Sequence, residues 1–218
     1  MKTNEVVFIL DRSGSMEGLE KDTIGGFNRI IKEQKENKED GEVLVSTVLF
    51  DDERIVLHDR KSINEIERMT EKDYIPRGST ALIDAIGHSI KHIENIHKYI
   101  RKEDVPEHTL FVIITDGMEN ASHEFSSDGV KKMIKHEEEK NGWEFMFIGA
   151  NIDAVETAKG YGIKADYAFN HISDGVGTGI VYGCVSAKIA NTRKMQRGRN
   201  SSNMCMEEIE KDFQKRKK

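Results

Sequence analysis

Five oxygen-bearing side chains are spaced along the chain in a way that suits a divalent cation. They are Asp11, Ser13 and Ser15 in VVFILDRSGSM, Thr80 in RGSTAL, and Asp116 in LFVIITDGMEN. Magnesium is a hard ion that takes near-octahedral oxygen coordination at about 2.0–2.1 Å and gives up water reluctantly, so hydroxyls and carboxylates are the side chains to look for. Taken one at a time, these residues have plainer uses. Asp and Ser after a strand form turns and cap helices. Thr80 fits the cap of a helix opening at Ala81, and Asp116 beside Gly117 fits an ordinary turn. Their joint occurrence in three segments points to a metal site instead.

Two of the three segments follow short, apolar, β-branched runs, Val6 to Leu10 and Leu110 to Ile114. Such runs read as strands buried on both faces of a parallel sheet. Asp11 and Asp116 then fall at carboxyl ends of strands, where open α/β sheets place their ligand crevice.

DxSxS, a distant Thr in a Gly-Ser-Thr turn and a later Thr-Asp-Gly together resemble a von Willebrand factor A domain. All five positions of that family's metal-ion-dependent adhesion site are matched, and with element order included the resemblance spans roughly the first 170 residues. It implies a Rossmann-like, doubly wound α/β fold with a mostly parallel sheet, one antiparallel edge strand and helices on both faces. It also implies that Ser13, Ser15 and Thr80 touch Mg²⁺ or Mn²⁺ directly while Asp11 and Asp116 hold its bound waters. Neutral groups in most of the inner shell would leave the ion electrophilic, and the outer aspartates would orient that shell without filling it. The expected function is a protein-binding module that captures an Asp or Glu of a partner through the cation. Stand-alone intracellular proteins of similar type serve as adaptors, AAA+ ATPase systems included, which is analogy at the level of fold.

The competing class is an enzyme, a phosphotransferase or phosphohydrolase with Asp11 as nucleophile. Metal-assisted phosphate chemistry usually puts carboxylates directly on the ion. Here hydroxyls stand where the second carboxylate would, and no His or Lys is identifiable as acid or base, so the chain is expected not to be an enzyme. A third class is a structural subunit whose site is vestigial or is filled by neighbours in an oligomer.

With 33% charged and 37% hydrophobic residues, the chain reads as a well-solvated protein with charged helix faces, not a membrane protein. Its net charge of −6 argues against nucleic acid as the main partner. Only Cys184 and Cys205 occur, so no disulfide framework is indicated. MKTNEVVFIL runs straight into the first strand without the apolar stretch of a signal peptide, and the cytoplasm is the expected compartment.

Apolar spacing predicts helices over Leu19 to Lys38, ended by Gly41, and over Ala81 to about Arg101. EVLVSTVLF and Arg54 to His58, joined across Asp51 and Asp52, predict a hairpin and hence the antiparallel edge. Ser62 to Met69 reads as a short helix capped by Ser62, with Glu65 completing a capping box. Further along come a helix from about Ser127 to Lys140, the strand WEFMFIGA, a short helix from Asp153 to Tyr161 and a strand from Ala165 to Asn170. A helix follows over Asp174 to Lys194, in which Gly177, Gly179 and Gly183 are read as packing glycines and not as a phosphate loop. Those elements make a domain of residues 1–194. The charged stretch 195–218 reads as flexible or as a loosely attached helix. His88 and His92 have i, i+4 spacing without an evident third ligand and read as solvated. Glu119, Asn120, His123 and Glu124 flank the cation site and are candidates for reading the partner beside its carboxylate.

Overall fold

Alternation along strand β1 (Thr3–Asp11) sends Val6, Phe8 and Leu10 to one side of the sheet and Val7 and Ile9 to the other, and all five are buried. A strand needs an unbroken apolar run when both of its faces are covered. The structure is a computed structural model and describes residues 3–37, 41–150, 152–172, 174–194 and 206–216. In it β2 (Glu42–Phe50), β3 (Arg54–Ser62), β4 (His108–Thr115), β5 (Glu144–Ala150) and β6 (Ala168–His171) join β1 in a six-stranded sheet. The order is β3-β2-β1-β4-β5-β6, with β3 antiparallel to β2 and every other pair parallel.

Six α-helices are described: α1 (Glu20–Glu36), α2 (Leu82–Tyr99), α3 (Ser127–Asn141), α4 (Ala154–Gly160), α5 (Gly175–Lys194) and α6 (Met206–Arg216). Phe27 and Ile30 of α1, Val181, Val185 and Ile189 of α5 and Ile209 of α6 pack on one face of the sheet. Leu82, Ile86, Ile90 and Ile93 of α2, Val130 and Ile134 of α3 and Ala154 and Ala158 of α4 pack on the other. The fold is therefore the expected doubly wound α/β arrangement.

Helix α5 is so enclosed that two of its cations lie inside the protein. Lys188 Nζ sits 2.5 Å from Glu144 Oε2 at the start of β5. Arg193 donates to the carbonyls of Gln34 at 2.8 Å, Asn37 at 2.6 Å and Gly41 at 2.8 Å, closing the carboxyl end of α1. Last-turn carbonyls have no partner within their own helix, so a guanidinium there satisfies several at once.

Three sequence expectations need correction. Residues 62–69 form a single 3-10 turn, Ile63–Glu65, and then an extended segment, and Ser62, the last residue of β3, makes no side-chain cap. The polar groups that a helix would have satisfied internally are taken by side chains of α1. Asn28 brackets Met69, accepting from its N–H at 2.8 Å and donating to its carbonyl at 2.9 Å, and Lys35 donates to the Ile66 carbonyl at 2.6 Å. The second correction concerns Ala165–Tyr167, a 3-10 turn that precedes the four residues of β6. The third concerns the glycines of α5. A side chain at Gly177 would strike the Ile172 carbonyl, whereas those at Gly179 and Gly183 would meet only open space.

Of the charged terminal stretch, residues 195–205, Cys205 among them, and 217–218 lie outside the described residues, while α6 packs against α5 and β6. Ile209 is buried, and Arg216 Nη1 lies 2.6 Å from Asp174 Oδ2. The Gly177 N–H and then Arg216 hold the Asp174 carboxyl below its usual range. A depressed carboxyl stabilises above its unfolded pKa and loses that contribution as pH falls through the folded value. Protection factors across 206–216, with the intrinsic pH dependence of exchange divided out, are accordingly expected to fall as the solution is acidified into that range, and Asp174→Asn should show the fall already at neutral pH. The pair is half-exposed, so the effect should stay within about 1 kcal/mol.

Candidate metal centre

β1 lies between β2 and β4, so the chain leaves β1 toward one edge of the sheet and returns on its other side. That reversal opens a crevice at the carboxyl ends of the two central strands. Leu10 and Ile114 are in register there, which puts Asp11 and Asp116 at the same rim. Asp11 is fully buried, Ser13, Thr80 and Asp116 nearly so, and Ser15 is exposed, so the rim opens to solvent on the Ser15 side.

Thr80 arrives on a segment without regular structure that is bonded to the strand ends. Arg77 N–H donates to the Arg12 carbonyl at 2.8 Å, Gly14 N–H to the Gly78 carbonyl at 3.1 Å, and Ala81 N–H to the Asp51 carbonyl at 2.8 Å. Gly78 has φ +65°, and a side chain there would collide with Asp52. Beneath the segment, Arg12 and Asp51 form a buried ion pair at 2.8 Å.

The hydroxyls of this rim are not spent on caps. Ser13 makes no side-chain cap to the turn Gly14–Met16, and α2 receives none from Ala81 at its start. Instead the first N–H groups of α2 are satisfied from a distant loop, Ile83 by Glu119 Oε2 at 2.8 Å and Asp84 by Ser122 Oγ at 3.0 Å. The capping role that the sequence allowed for Thr80 is thus filled by other residues.

A methyl group on Gly117 would sit 2.8 Å from Thr80 Oγ1, 3.0 Å from Ser15 Oγ and 3.5 Å from Asp11 Oδ2. Three of the five oxygens therefore surround one point above the Gly117 backbone. Ser13 Oγ and Ser15 Oγ are 3.0 Å apart. Cis ligands of an octahedral cation at about 2.1 Å are separated by about 3.0 Å, so the donor set and its spacing fit a small divalent ion. Burial raises the Asp11 carboxyl above its usual range, hydrogen bonds from Thr115 and Ser13 work against that shift, and the charge of Asp116 adds to it. A cation between the two carboxylates would offset both the burial and the repulsion.

Several residues around the rim were not foreseen. Thr115 Oγ1 donates to Asp11 Oδ2 at 2.5 Å, while the Ser13 N–H donates to Asp11 Oδ1 at 2.6 Å, and together they fix the carboxylate plane. Thr115 stands immediately before Asp116 in the Thr-Asp-Gly segment, and no local signal assigns its hydroxyl to Asp11, 104 residues away. Tyr74, 63 residues away, donates its hydroxyl to the Asp11 carbonyl, which no local signal could announce.

The loop after Asp116 departs from expectation in part. Glu119 turns inward and also accepts from the N–H groups of Ala121 at 2.9 Å and Ser122 at 2.7 Å. Asn120 Oδ1 accepts from the Thr80 N–H at 2.8 Å. Both help to build the rim; Glu119 is half-buried, whereas Asn120, His123 and Glu124 are exposed. His88 and His92 diverge, His88 to Glu124 at 2.9 Å and His92 to Asp59 at 2.8 Å.

No family profile and no curated protein matches this sequence. Solved structures do match. The von Willebrand factor domain of the type V pili tip protein Mfa5 from Porphyromonas gingivalis superimposes with a TM-score of 0.63 at 12% identity, over 92% of this chain and 98% of that one. The fold is that of a von Willebrand factor A domain. The ArnB paralog VWA2 from Sulfolobus acidocaldarius shares this fold, with a TM-score of 0.56 at 17% identity over 86% of this chain and 45% of its own. So does proximal thread matrix protein 1 from the mussel byssus with a zinc-occupied MIDAS motif, with a TM-score of 0.56 at 18% identity over 85% and 45%. The chain spans under half the length of the latter two. Among the described residues, no helix is long and apolar enough to cross a membrane.

Proposed function

We propose that the chain is a metal-dependent protein-binding module without catalytic activity of its own, working in the cytoplasm. Asp11, Ser13, Ser15, Thr80 and Asp116 would hold Mg²⁺ or Mn²⁺, and an Asp or Glu of a partner protein would complete the coordination. What carries this reading is the convergence of Thr80, Ser15 and Asp11 oxygens on one point over Gly117, with the hydroxyls unused as caps. When bound, the ion would supply a Lewis-acidic position for a carboxylate. The chain's own contribution is orientation: Thr115 and the Ser13 N–H hold Asp11, and Asn120 holds the Thr80 backbone. Both Asp11 oxygens already accept short hydrogen bonds, which suits an orienting carboxylate better than a nucleophile.

Two measurements test the reading. Calorimetric titration should give clear Mg²⁺ binding to the wild type and much weaker binding to Asp11→Ala and Asp116→Ala, and equal affinities would reject the site. The second uses Gly117→Ala, whose methyl would occupy the point the oxygens surround. It removes no ligand, yet it is expected to lower Mg²⁺ affinity at least tenfold and to abolish magnesium-dependent retention of the partner protein from host extract. A Gly117→Ala protein that binds Mg²⁺ as the wild type does would show that the ion lies elsewhere.

A further inference from the structure

The N-terminal turns of α2 and the loop 119–125 bring together a second set of ligand-type side chains, distinct from the five at the rim. Ligand atoms of Asp84, His123 and Glu124 all lie within 4.8 Å of one another. His123 Nδ1 and Asp84 Oδ2 are 3.8 Å apart. A tetrahedral zinc ion with ligands at about 2.0–2.1 Å needs its donor atoms about 3.4 Å apart, so this edge is within a few tenths of an ångström of that spacing. The remaining closure falls to the side chains of His123 and Glu124, which are 80% and 53% exposed.

The frame beneath them is rigid. Asp84 accepts from the N–H groups of His123 at 2.9 Å, Glu124 at 3.0 Å and Phe125 at 2.8 Å, which pins all three residues to α2. Oδ2 accepts the His123 N–H and shares the Glu124 N–H with Oδ1 at the longer distance of 3.2 Å, and that shared position is the one a metal would take. One turn further along α2, His88 Nε2 lies 2.9 Å from Glu124 Oε2 and sets the direction of that carboxylate. A partner of this kind behind a ligand commonly tunes metal affinity.

We propose that Asp84, His123 and Glu124 form a zinc site with His88 as positioning residue and water in the fourth place. The two carboxylates are hard donors that either ion accepts, and it is the imidazole, a ligand suited to zinc, that favours Zn²⁺ over Mg²⁺. Binding requires the His123 Nδ1 lone pair. The ring therefore carries its proton on Nε2 and gives up a long contact from Nδ1 to the Ala121 carbonyl at 3.3 Å. Zinc there fastens the loop whose Asn120 holds Thr80, so the second ion would stiffen one wall of the rim without sharing a ligand with it.

The test is zinc titration by calorimetry on the full chain, with anomalous diffraction at the zinc edge. Because the rim can also accept zinc, Asp11→Ala is the control. The proposal requires a zinc equivalent that persists in Asp11→Ala, is lost in His123→Ala, and is weakened about tenfold or more in His88→Ala. Asp84 is left unchanged because its loss would release the loop itself. Zinc binding equal in wild type and His123→Ala, or abolished by Asp11→Ala alone, would overturn it, as would no zinc binding by the wild type. None of these outcomes bears on magnesium at the rim.

Discussion

Asp11→Asn is expected to weaken Mg²⁺ binding by about ten- to a hundredfold while leaving the metal-free protein no less stable. The size is that expected of a carboxylate which, on the proposed function, would orient metal-bound water without itself filling the shell. The unchanged stability follows from where Asp11 sits. Its carboxylate is fully buried near a second one, and burial together with Asp116 disfavours its charge. An amide of the same shape keeps an acceptor for the Ser13 N–H or Thr115 hydroxyl and removes the repulsion. Thermal denaturation with and without Mg²⁺ reads both parts. The wild type should gain stability with the ion, as anything that binds the folded state alone must produce. Asp11→Asn should start at the same melting temperature or higher and gain little. A variant that melts well below the metal-free wild type would mean that Asp11 serves the fold first.

The second large effect is structural. Lys188→Ala is expected to destabilise the protein by about 3–5 kcal/mol, because it strands the Glu144 carboxylate inside. Lys188 has no exposed side-chain surface, and its ammonium also lies 5.0 Å from the Tyr167 ring centre. For a chain of this size that corresponds to a fall of roughly 10 °C in melting temperature. The double variant Lys188→Met, Glu144→Leu should recover most of the loss, since a buried ion pair replaced by apolar groups of similar volume is often neutral or stabilising. If the double variant is no better than the single one, the lysine acts through packing and not through charge.

How much of this was readable in advance depends on the distance over which each group is satisfied. The runs Val6 to Leu10 and Leu110 to Ile114 announce buried parallel strands because both faces of the sheet are covered, and the aspartates at their ends follow directly. The edge hairpin was legible from its short turn. Residues 62–69 misled because Asn28 and Lys35 of α1 take the place of helical hydrogen bonds, a substitution invisible to local spacing. Glu119 read as a candidate contact for a partner, and its engagement with α2, 36 residues back, is invisible for the same reason. Nothing local marks Lys188 and Arg193 as buried, since the strand and the helix that enclose them are remote in sequence.

The two borders of the sheet are treated differently, and this bears on how the protein behaves when concentrated. A bare outer strand is a template on which another chain can continue the ladder. At one border α6 packs against β6. At the other, β3 runs past irregularities in its pairing with β2, turns Arg60 to a positive φ of 46° with its guanidinium paired to the buried Glu5, and carries Arg54 and Lys61 along its length. A kinked, cationic margin is a poor seed for intermolecular strand addition, so the molecule should resist fibrillar association without needing a partner to shield it.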